Sequence, residues 1–273
     1  MGSKKHLNVE KRAEEFASRF STKIFMEEPS KDNPFVASRQ YCHGYDITEL
    51  MEKKDSTDML FLLFLGDLPN EKQKKLFNYL LISCMNQGLR NPGARAAICA
   101  GVGKTDPLHI LPIGLSAFSC EHQGAGLTSQ VMQSIRKLSR VEPRDVAVEI
   151  NSDSNTEELE IHIIPGFGRI YNSIDEMSVS IGKKIIEDIN DLKFLSWSLE
   201  LSDRLKGVNA GILRSGLVSS ILLDLGINYK YGSVIHQLIS APGILAHGME
   251  YASKPLSSMP FVPDANYEII NDK

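Results

Sequence analysis

The stretch Cys120-Glu121-His122-Gln123-Gly124-Ala125-Gly126-Leu127 sets a titratable imidazole among small residues. It lies between two runs of helical apolar period, and its glycines let backbone approach the His122 ring closely. Such a ring can hold a reacting oxygen or move a proton. The alternative is a polar turn between helices in which His122 is only solvated.

Two arginines suggest anion binding. Pro165-Gly166-Phe167-Gly168-Arg169 puts bare backbone next to a guanidinium, a pairing that suits a phosphate or carboxylate. A structural turn with a surface arginine is the alternative. Arg214 interrupts the small, apolar run 211–217, where a charge needs a partner. That partner is either a structural carboxylate or a bound anion, and both possibilities stay open.

Other motifs carry less chemistry. Residues 101–105 read Gly-Val-Gly-Lys-Thr, but position 98 is isoleucine and a helix is expected before them. They indicate a helix C-terminus rather than a phosphate-binding loop. His247 and Glu250 share a helix face, yet two residues do not define a metal site. We expect a surface or interface pair there, and no metal.

Composition excludes several classes of protein. Thirty Lys and Arg against 34 Asp and Glu give a net charge of −4, which disfavours nucleic acid as a partner. The longest apolar run, 59–65, is far below the roughly 20 residues that span a bilayer. No secretory signal is apparent. Four cysteines without paired close spacing predict reduced thiols in a cytoplasmic protein.

The elements that would position these residues are mostly helices. From Ile47 onward the apolar period stays close to 3.6, which predicts a nearly all-α protein. The only expected β structure is a pair of short segments, 23–27 and 35–38, around a proline-bounded loop. A short outer helix is expected over 8–20 and a polar loop over 142–155. The remaining helices are expected over 58–65, after Pro69-Asn70, after Asn91-Pro92, after Asp106-Pro107, and over 128–138, 178–205, 209–225 and 234–252, the last interrupted near Pro242.

Taken in order, several pieces resemble the citrate synthase superfamily, especially its shorter citryl-CoA lyase-like members. The resemblance covers about residues 22–273. Its motifs are Gly44-Tyr45-Asp46-Ile47-Thr48-Glu49-Leu50, Gly66-Asp67-Leu68-Pro69, Gln87-Gly88-Leu89-Arg90-Asn91, His122-Gln123-Gly124-Ala125, Pro165-Gly166-Phe167-Gly168, Leu223-Asp224-Leu225-Gly226 and Leu245-Ala246-His247-Gly248-Met249-Glu250.

The resemblance implies an all-α, two-domain subunit with a short β segment near the N-terminus, assembled as a homodimer. Residues 1–21 would be an N-terminal arm, 22–126 with 216–273 a large domain, and 127–215 a small domain. The domains would close over a coenzyme A thioester, the co-substrate, and a small carboxylate. In this family an aspartate removes a proton from the acetyl group, one histidine holds the enol, and another polarises the keto acid.

Residue by residue, the chain keeps only part of that scheme. His122 matches the family's enol-holding histidine. Gln87 stands where a substrate-binding histidine is expected, and Arg169 follows Gly168 without the usual intervening histidine. The base aspartate falls on Ser215 or Arg214, depending on register. Lys254 replaces an arginine and lacks its bidentate geometry.

We therefore expect a divergent protein that acts on an acyl-CoA thioester and a carboxylate, by C–C bond formation or cleavage or by acyl transfer, but not by ordinary citrate synthesis. His122 would stabilise the thioester oxygen and Glu121 is the candidate base. The expected substrate contacts are Gln87, Arg90, Arg214, Ser215 and Lys254, and the expected CoA contacts are Pro165, Gly166, Phe167, Gly168, Arg169 and Tyr171. The alternative is a catalytically silent homologue that binds CoA or a carboxylate, or that partners an active paralogue.

Overall fold

Helices dominate the computed structural model, which describes residues 16–152 and 162–270. The helices in these ranges are α1 Ile47–Lys53, α2 Ser56–Leu65, α3 Glu71–Met85, α4 Pro92–Val102, α5 Pro107–Phe118, α6 Thr128–Leu138, α7 Pro143–Ser152, α8 Glu176–Asp188, α9 Lys193–Arg204, α10 Arg214–Asp224 and α11 Gly232–Ala252. The strands are β1 Phe25–Pro29, β2 Ala37–Cys42, β3 Tyr45–Asp46, β4 His162–Ile164, β5 Phe167–Gly168 and β6 Gly211–Ile212. The predicted all-α class with a short β segment near the N-terminus is confirmed.

The first of two compact units is Met1–Leu68. In it β1 and β2 form an antiparallel hairpin in which Phe25 pairs with Cys42, and β3 adds a third strand. The predicted pair of extended segments around a proline-bounded loop is thus confirmed. Helix α2 ends as predicted at Gly66, whose φ of 82° is left-handed and favours glycine.

The second unit is Pro69–Lys273. Helices α4, α5 and α11 pack closely in it because small residues face each other. A Cβ added to Gly101 of α4 would lie only 2.1 Å from the carbonyl oxygen of Gly248 in α11. Around this contact Ala97, Ile110 and Phe118 are fully buried. The predicted small domain, residues 127–215, lies within this unit and stays a prediction.

The capping residues chosen from sequence begin three helices of the second unit, α3, α4 and α5. Asn70, Asn91 and Asp106 each accept backbone N–H groups of the following turn, and prolines occupy the first position of α4 and α5. These helix starts are confirmed.

A second antiparallel sheet, β4-β5-β6, is the main departure from the predicted fold, since β structure was expected only near the N-terminus. Its strands have two or three residues each, too few to show an alternating pattern. Residues 209–213, predicted to open a helix, instead include β6, and α10 begins only at Arg214.

Several helix bounds also differ from prediction. Helix α7 occupies most of the polar loop expected over 142–155, because Val146 and Ala147 give it a buried face; residues 153–155 lie outside the described residues. The expected single helix over 178–205 is broken between α8 and α9, where the Asp224 carboxylate accepts the N–H groups of Phe194 and Leu195 at 2.9 Å.

Helix α11 continues through Pro242, where an interruption was expected. The partner carbonyl that proline cannot bond belongs to Leu238, an exposed residue that water can reach. Residues 16–20 are not helical, and the rest of the helix predicted over 8–20 lies outside the described residues. Within the described ranges, no helix is long and apolar enough to cross a bilayer.

Candidate functional site

A cavity of about 420 Å³ lies in the second unit. Its wall is built from the end of α3, the start of α4, the turn before α6, β4, and the starts of α8 and α10. Four predicted substrate contacts meet there, namely Gln87, Arg90, Arg214 and Ser215. They come from segments more than a hundred residues apart in the chain, so the fold concentrates them.

The turn at Gly166 fixes the start of α10. The carbonyl of Gly166 accepts the N–H of Leu213 at 2.9 Å. A Cβ on Gly216 would lie 2.2 Å from the same oxygen, so only glycine allows this approach. Arg214 is therefore the first residue of α10 and lines the cavity. Its sequence context predicted a position in the middle of a helix, and that prediction is wrong.

Arg214 has no protein partner among the described residues. Its Nη1 atom is buried without a hydrogen bond, and no ion pair to it is formed in the described ranges. Arg214 as a whole is only partly buried, and a single buried donor left unsatisfied costs about 1–3 kcal/mol. A bound anion would remove that cost.

Asp175 is the one carboxylate in the described cavity wall, and it is already engaged. It caps α8 by accepting the backbone N–H of Ser178 at 3.0 Å and the Ser178 hydroxyl at 2.5 Å. The wall therefore carries two arginines, Arg90 and Arg214, against one committed carboxylate. This balance favours an anionic ligand.

A polar cluster continues from the cavity wall into the interior: Gln87 lines the cavity, and His236, Ser240 and Thr128 are buried behind it. Gln87 Nε2 lies 2.8 Å from Ser240 Oγ and 3.3 Å from His236 Nε2. Thr128 Oγ1 lies 2.8 Å from His236 Nδ1. Burial, helped by the charge of Arg214, lowers the pKa of His236 to about 3. Sequence reasoning missed His236, whose only signal was a polar residue on an apolar helix.

His162 of β4 lines the cavity and was also missed. Both of its ring nitrogens are buried without a hydrogen bond of standard geometry to any described residue. Burial first, and then the nearby His122 ring, lower its pKa below 6.5. The His122 ring is exposed and stacks on His162, with centroids 6.2 Å apart and planes 19° apart. His162 therefore places an imidazole in the cavity wall, and the exposed His122 ring stacks on it.

The turn that carries His122 is held in place by hydrogen bonds to Asn91 and Phe118. Buried Asn91 donates from Nδ2 to the Gln123 carbonyl at 2.9 Å, and the Ala125 N–H donates to the Phe118 carbonyl at 2.8 Å. Gln123 has a φ of 60°, which the turn imposes on a non-glycine residue. The side chain of Asn91 therefore ties the turn to the start of α4.

The predicted CoA contacts have different surroundings. Phe167 is fully buried and packs edge to face on Trp197, with ring centroids 6.3 Å apart. Arg169 has a buried Nε without a partner among the described residues but is not part of the cavity wall. Tyr171 is exposed, and its hydroxyl accepts a hydrogen bond from Gln123 Nε2 at 3.4 Å. Phe167 therefore supports the turn from inside rather than facing a ligand.

Three other predicted site residues are not in the cavity wall, namely the exposed His122, Glu121 and Lys254. Glu121 is exposed on the turn. Lys254 bonds Glu250 at 2.5 Å and lies 4.0 Å from the centre of the Tyr251 ring. His247 lies near the same Glu250, at 4.0 Å. No three His, Cys, Asp or Glu side chains of the described ranges come together as a metal site requires.

The glycine-rich segment 101–105 ends a helix. Helix α4 stops at Val102, and Lys104 Nζ donates to the carbonyls of Ala252 and Lys254 at 2.8 and 2.6 Å. Its ammonium therefore closes the end of α11. The expectation of a helix C-terminus rather than a phosphate-binding loop is confirmed.

Comparison with known proteins gives one consistent answer at the level of fold. No protein-family model matches the sequence, and no curated protein sequence matches it either. Among solved structures, citryl-CoA lyase from Hydrogenobacter thermophilus is similar at a TM-score of 0.74 and 18% identity, over 93% of this chain and 95% of that one.

Two further structures agree. ATP citrate lyase from Methanosaeta concilii, solved with (3S)-citryl-CoA, is similar at a TM-score of 0.73 and 13% identity, over 95% of this chain and 43% of that one. Citrate synthase from Thermoplasma acidophilum, solved with carboxymethyl coenzyme A and oxaloacetate, is similar at 0.57 and 15% identity, over 80% of this chain and 58% of that one. The chain therefore has the fold of the citrate synthase superfamily, as the order of its sequence motifs predicted.

Proposed function

We propose that the chain binds a small carboxylate and an acyl-CoA thioester at this cavity and acts on a C–C or acyl bond. The observation that carries the proposal is the buried Nη1 of Arg214, which lies in the cavity wall without a partner among the described residues. A guanidinium in that position suits a carboxylate, which can accept two of its N–H groups.

The rest of the wall supports an anionic ligand of small size. Arg90 adds a second positive charge, and the side chains of Asn86, Gln87 and Gln123 add polar amides. A volume of about 420 Å³ lies within the ordinary range for small-ligand sites, roughly 300–1,000 Å³.

The thioester part of the proposal draws on proteins with the same fold, two of which hold citryl-CoA or carboxymethyl coenzyme A. We propose that the turn Pro165–Gly168, Arg169 and Tyr171 lie along the CoA. The free Nε of Arg169 suits a phosphate oxygen, and the exposed Tyr171 ring suits contact with the nucleotide. Phe167 would act only by supporting this turn.

For proton transfer we propose His162 in place of Glu121. Glu121 is exposed outside the wall, whereas His162 lines the cavity, and neither of its buried ring nitrogens makes a hydrogen bond of standard geometry to a described residue. Its lowered pKa keeps the ring neutral near pH 7, so it can accept a proton. His122 remains the proposed donor to the thioester oxygen. Ordinary citrate synthesis stays disfavoured because Ser215 or Arg214 occupies the place of the family's aspartate.

A second candidate function is a catalytically silent protein that binds CoA or a carboxylate, or that partners an active paralogue. One observation favours it: Asp175, the carboxylate in the described wall, is already used to cap α8. No acidic base then faces the cavity from the described residues.

A single assay separates the two candidates. Purified protein is incubated with a panel of acyl-CoAs, with 2-oxo acids and with citryl-CoA, while product and melting temperature are measured. The enzyme produces product, and the silent protein is stabilised without turnover. If none of these compounds raises the melting temperature or yields product, both candidate functions are refuted.

The assembly completes the proposal. We propose a cytoplasmic homodimer in which residues 127–215 act as a small domain that closes over the ligands. Analytical ultracentrifugation reports the dimer, and small-angle scattering with and without citrate and CoA reports the closure. A monomer at every concentration would contradict the proposed dimer. A scattering curve that citrate and CoA leave unchanged would contradict the proposed closure.

A further inference from the structure

The hydrogen bonds behind the cavity fix which end of the Gln87 amide faces the ligand. Ser240 donates its one hydroxyl proton to the His236 carbonyl, four residues earlier in α11, at 2.9 Å. Toward Gln87, Ser240 Oγ can therefore only accept. The 2.8 Å contact must be an N–H of Gln87 donating to that oxygen.

The same reasoning continues at His236. The second amide N–H of Gln87 points at Nε2, 3.3 Å away, so Nε2 is the acceptor. The ring proton is then on Nδ1, which donates to Thr128 Oγ1 at 2.8 Å. Burial keeps this ring neutral, since its pKa is lowered to about 3, and Nε2 keeps its lone pair.

Both N–H groups of Gln87 are thus used inside the protein. Its Oε1 accepts no hydrogen bond from any described residue, and the side chain lines the cavity. The nearby charge is Arg214, which is close enough to His236 to lower the pKa of that ring. The wall therefore presents an acceptor that cannot turn into a donor, together with a cationic donor.

We propose that Gln87 is a specificity-determining residue that selects a hydroxycarboxylate over the corresponding 2-oxo acid. The inference rests on the proposed carboxylate site at Arg214. A hydroxyl can donate to Gln87 Oε1 while its carboxylate bonds Arg214. A keto oxygen in the same place would bring its lone pairs against those of Gln87 Oε1. Oε1 would then be removed from water without gaining a hydrogen-bond donor.

The test compares pairs of acids that differ only in this group. Isothermal titration calorimetry measures the dissociation constants of malate against oxaloacetate, and of 2-hydroxyglutarate against 2-oxoglutarate. We expect the hydroxy acid of at least one pair to bind roughly tenfold more tightly, the difference of about one hydrogen bond. Equal affinity, or tighter binding of the oxo acids, would overturn the inference.

Two variants locate the selectivity. Gln87→Met removes the acceptor at similar size and should abolish the preference by weakening the hydroxy acid. Ser240→Ala leaves Gln87 in place but removes the acceptor that orients its amide, so the preference should shrink to a few-fold. If Gln87→Met does not fold, the affinities of Ser240→Ala and the ¹⁵N chemical shifts of His236 still test the role of Gln87. A proton on Nε2 of His236 instead of Nδ1 would contradict the proposed orientation of the Gln87 amide.

The outcomes for the two proposals differ. If both acids of a pair bind equally and both lose affinity in Arg214→Gln, the carboxylate site stands and the role of Gln87 is refuted. If neither acid binds the wild-type protein, the carboxylate site and the selectivity fail together.

Discussion

Gln87 Nε2 lies 3.3 Å from Nε2 of His236, a buried ring whose other nitrogen is 2.8 Å from Thr128 Oγ1. This contact joins the cavity wall just after α3 to the N-terminal turns of α11. Through it the buried His236 helps to orient the amide of Gln87, which lines the cavity.

The low pKa of His236 predicts that stability falls in mild acid. The unfolded ring binds a proton below its ordinary pKa of 6.5, but the folded ring does so only near 3. Between these values the unfolded state binds more protons, so the free energy of unfolding decreases as pH falls, by up to about 1.4 kcal/mol per pH unit. Urea unfolding of the wild type and of His236→Gln at several pH values measures this. Plotted against pH, the free energies of unfolding of the two proteins should have different slopes below pH 6.5 and equal slopes above it. Parallel plots over the whole pH range would contradict a buried, neutral His236.

Gly216→Ala should destabilise the protein and disturb the start of α10. The added Cβ would lie 2.2 Å from the Gly166 carbonyl, so backbone must move. We expect a loss of roughly 1–3 kcal/mol or more in the free energy of unfolding, measured with urea. Gly207→Ala is the matched control, since nothing lies within 4 Å of its new Cβ. Equal stability of the two variants would show that this contact is not tight.

Asn91 offers a way to loosen the His122 turn without losing a helix cap. Its Oδ1 caps α4, while its Nδ2 holds the Gln123 carbonyl. Asn91→Asp keeps the acceptor and loses the donor, whereas Asn91→Ala loses both. We expect Asp to disturb the turn and Ala to cost a further ~1 kcal/mol of helix stability. Amide hydrogen exchange of residues 120–126 with urea unfolding separates the effects. Unchanged exchange in Asn91→Asp would refute the link to the turn.

His162→Gln tests the proposed base. If His162 accepts the proton, turnover of the substrate found in the acyl-CoA panel should fall roughly 10²- to 10⁴-fold. In the wild type the rate should rise with pH through a pKa below 6.5, because only the neutral ring accepts a proton. His109→Gln, at an exposed position of α5, is the control. A rate in His162→Gln equal to that of the control would remove His162 from the mechanism.

The sequence predicted a helix start where a capping residue precedes proline, and it missed a helix break that only tertiary contacts reveal. Asn91-Pro92 and Asp106-Pro107 mark α4 and α5 by local chemistry alone. The break between α8 and α9 could not be seen, because buried Ile189 and Leu192 continue the apolar pattern while adopting extended backbone.

The candidate site was predictable from motif order and, for Arg214, also from a charge in an apolar run. Gln87, Arg90 and Ser215 were chosen by resemblance, Arg214 on both grounds, and the fold brings all four to one cavity. His162 and His236 were missed for a physical reason. Each is a single histidine in an apolar segment, and only tertiary contacts show that one faces a cavity and the other a buried amide.

The most direct measurement is the affinity of citrate, malate and citryl-CoA for the wild type, for Arg214→Gln and for Arg95→Gln, by calorimetry at constant salt. Arg95 is exposed on α4 outside the cavity wall, so its variant controls for lost charge. Charge-assisted hydrogen bonds of about 1.5–3 kcal/mol predict a loss of roughly ten- to a hundredfold in Arg214→Gln alone. Binding that is equal in both variants would contradict an anion site at Arg214.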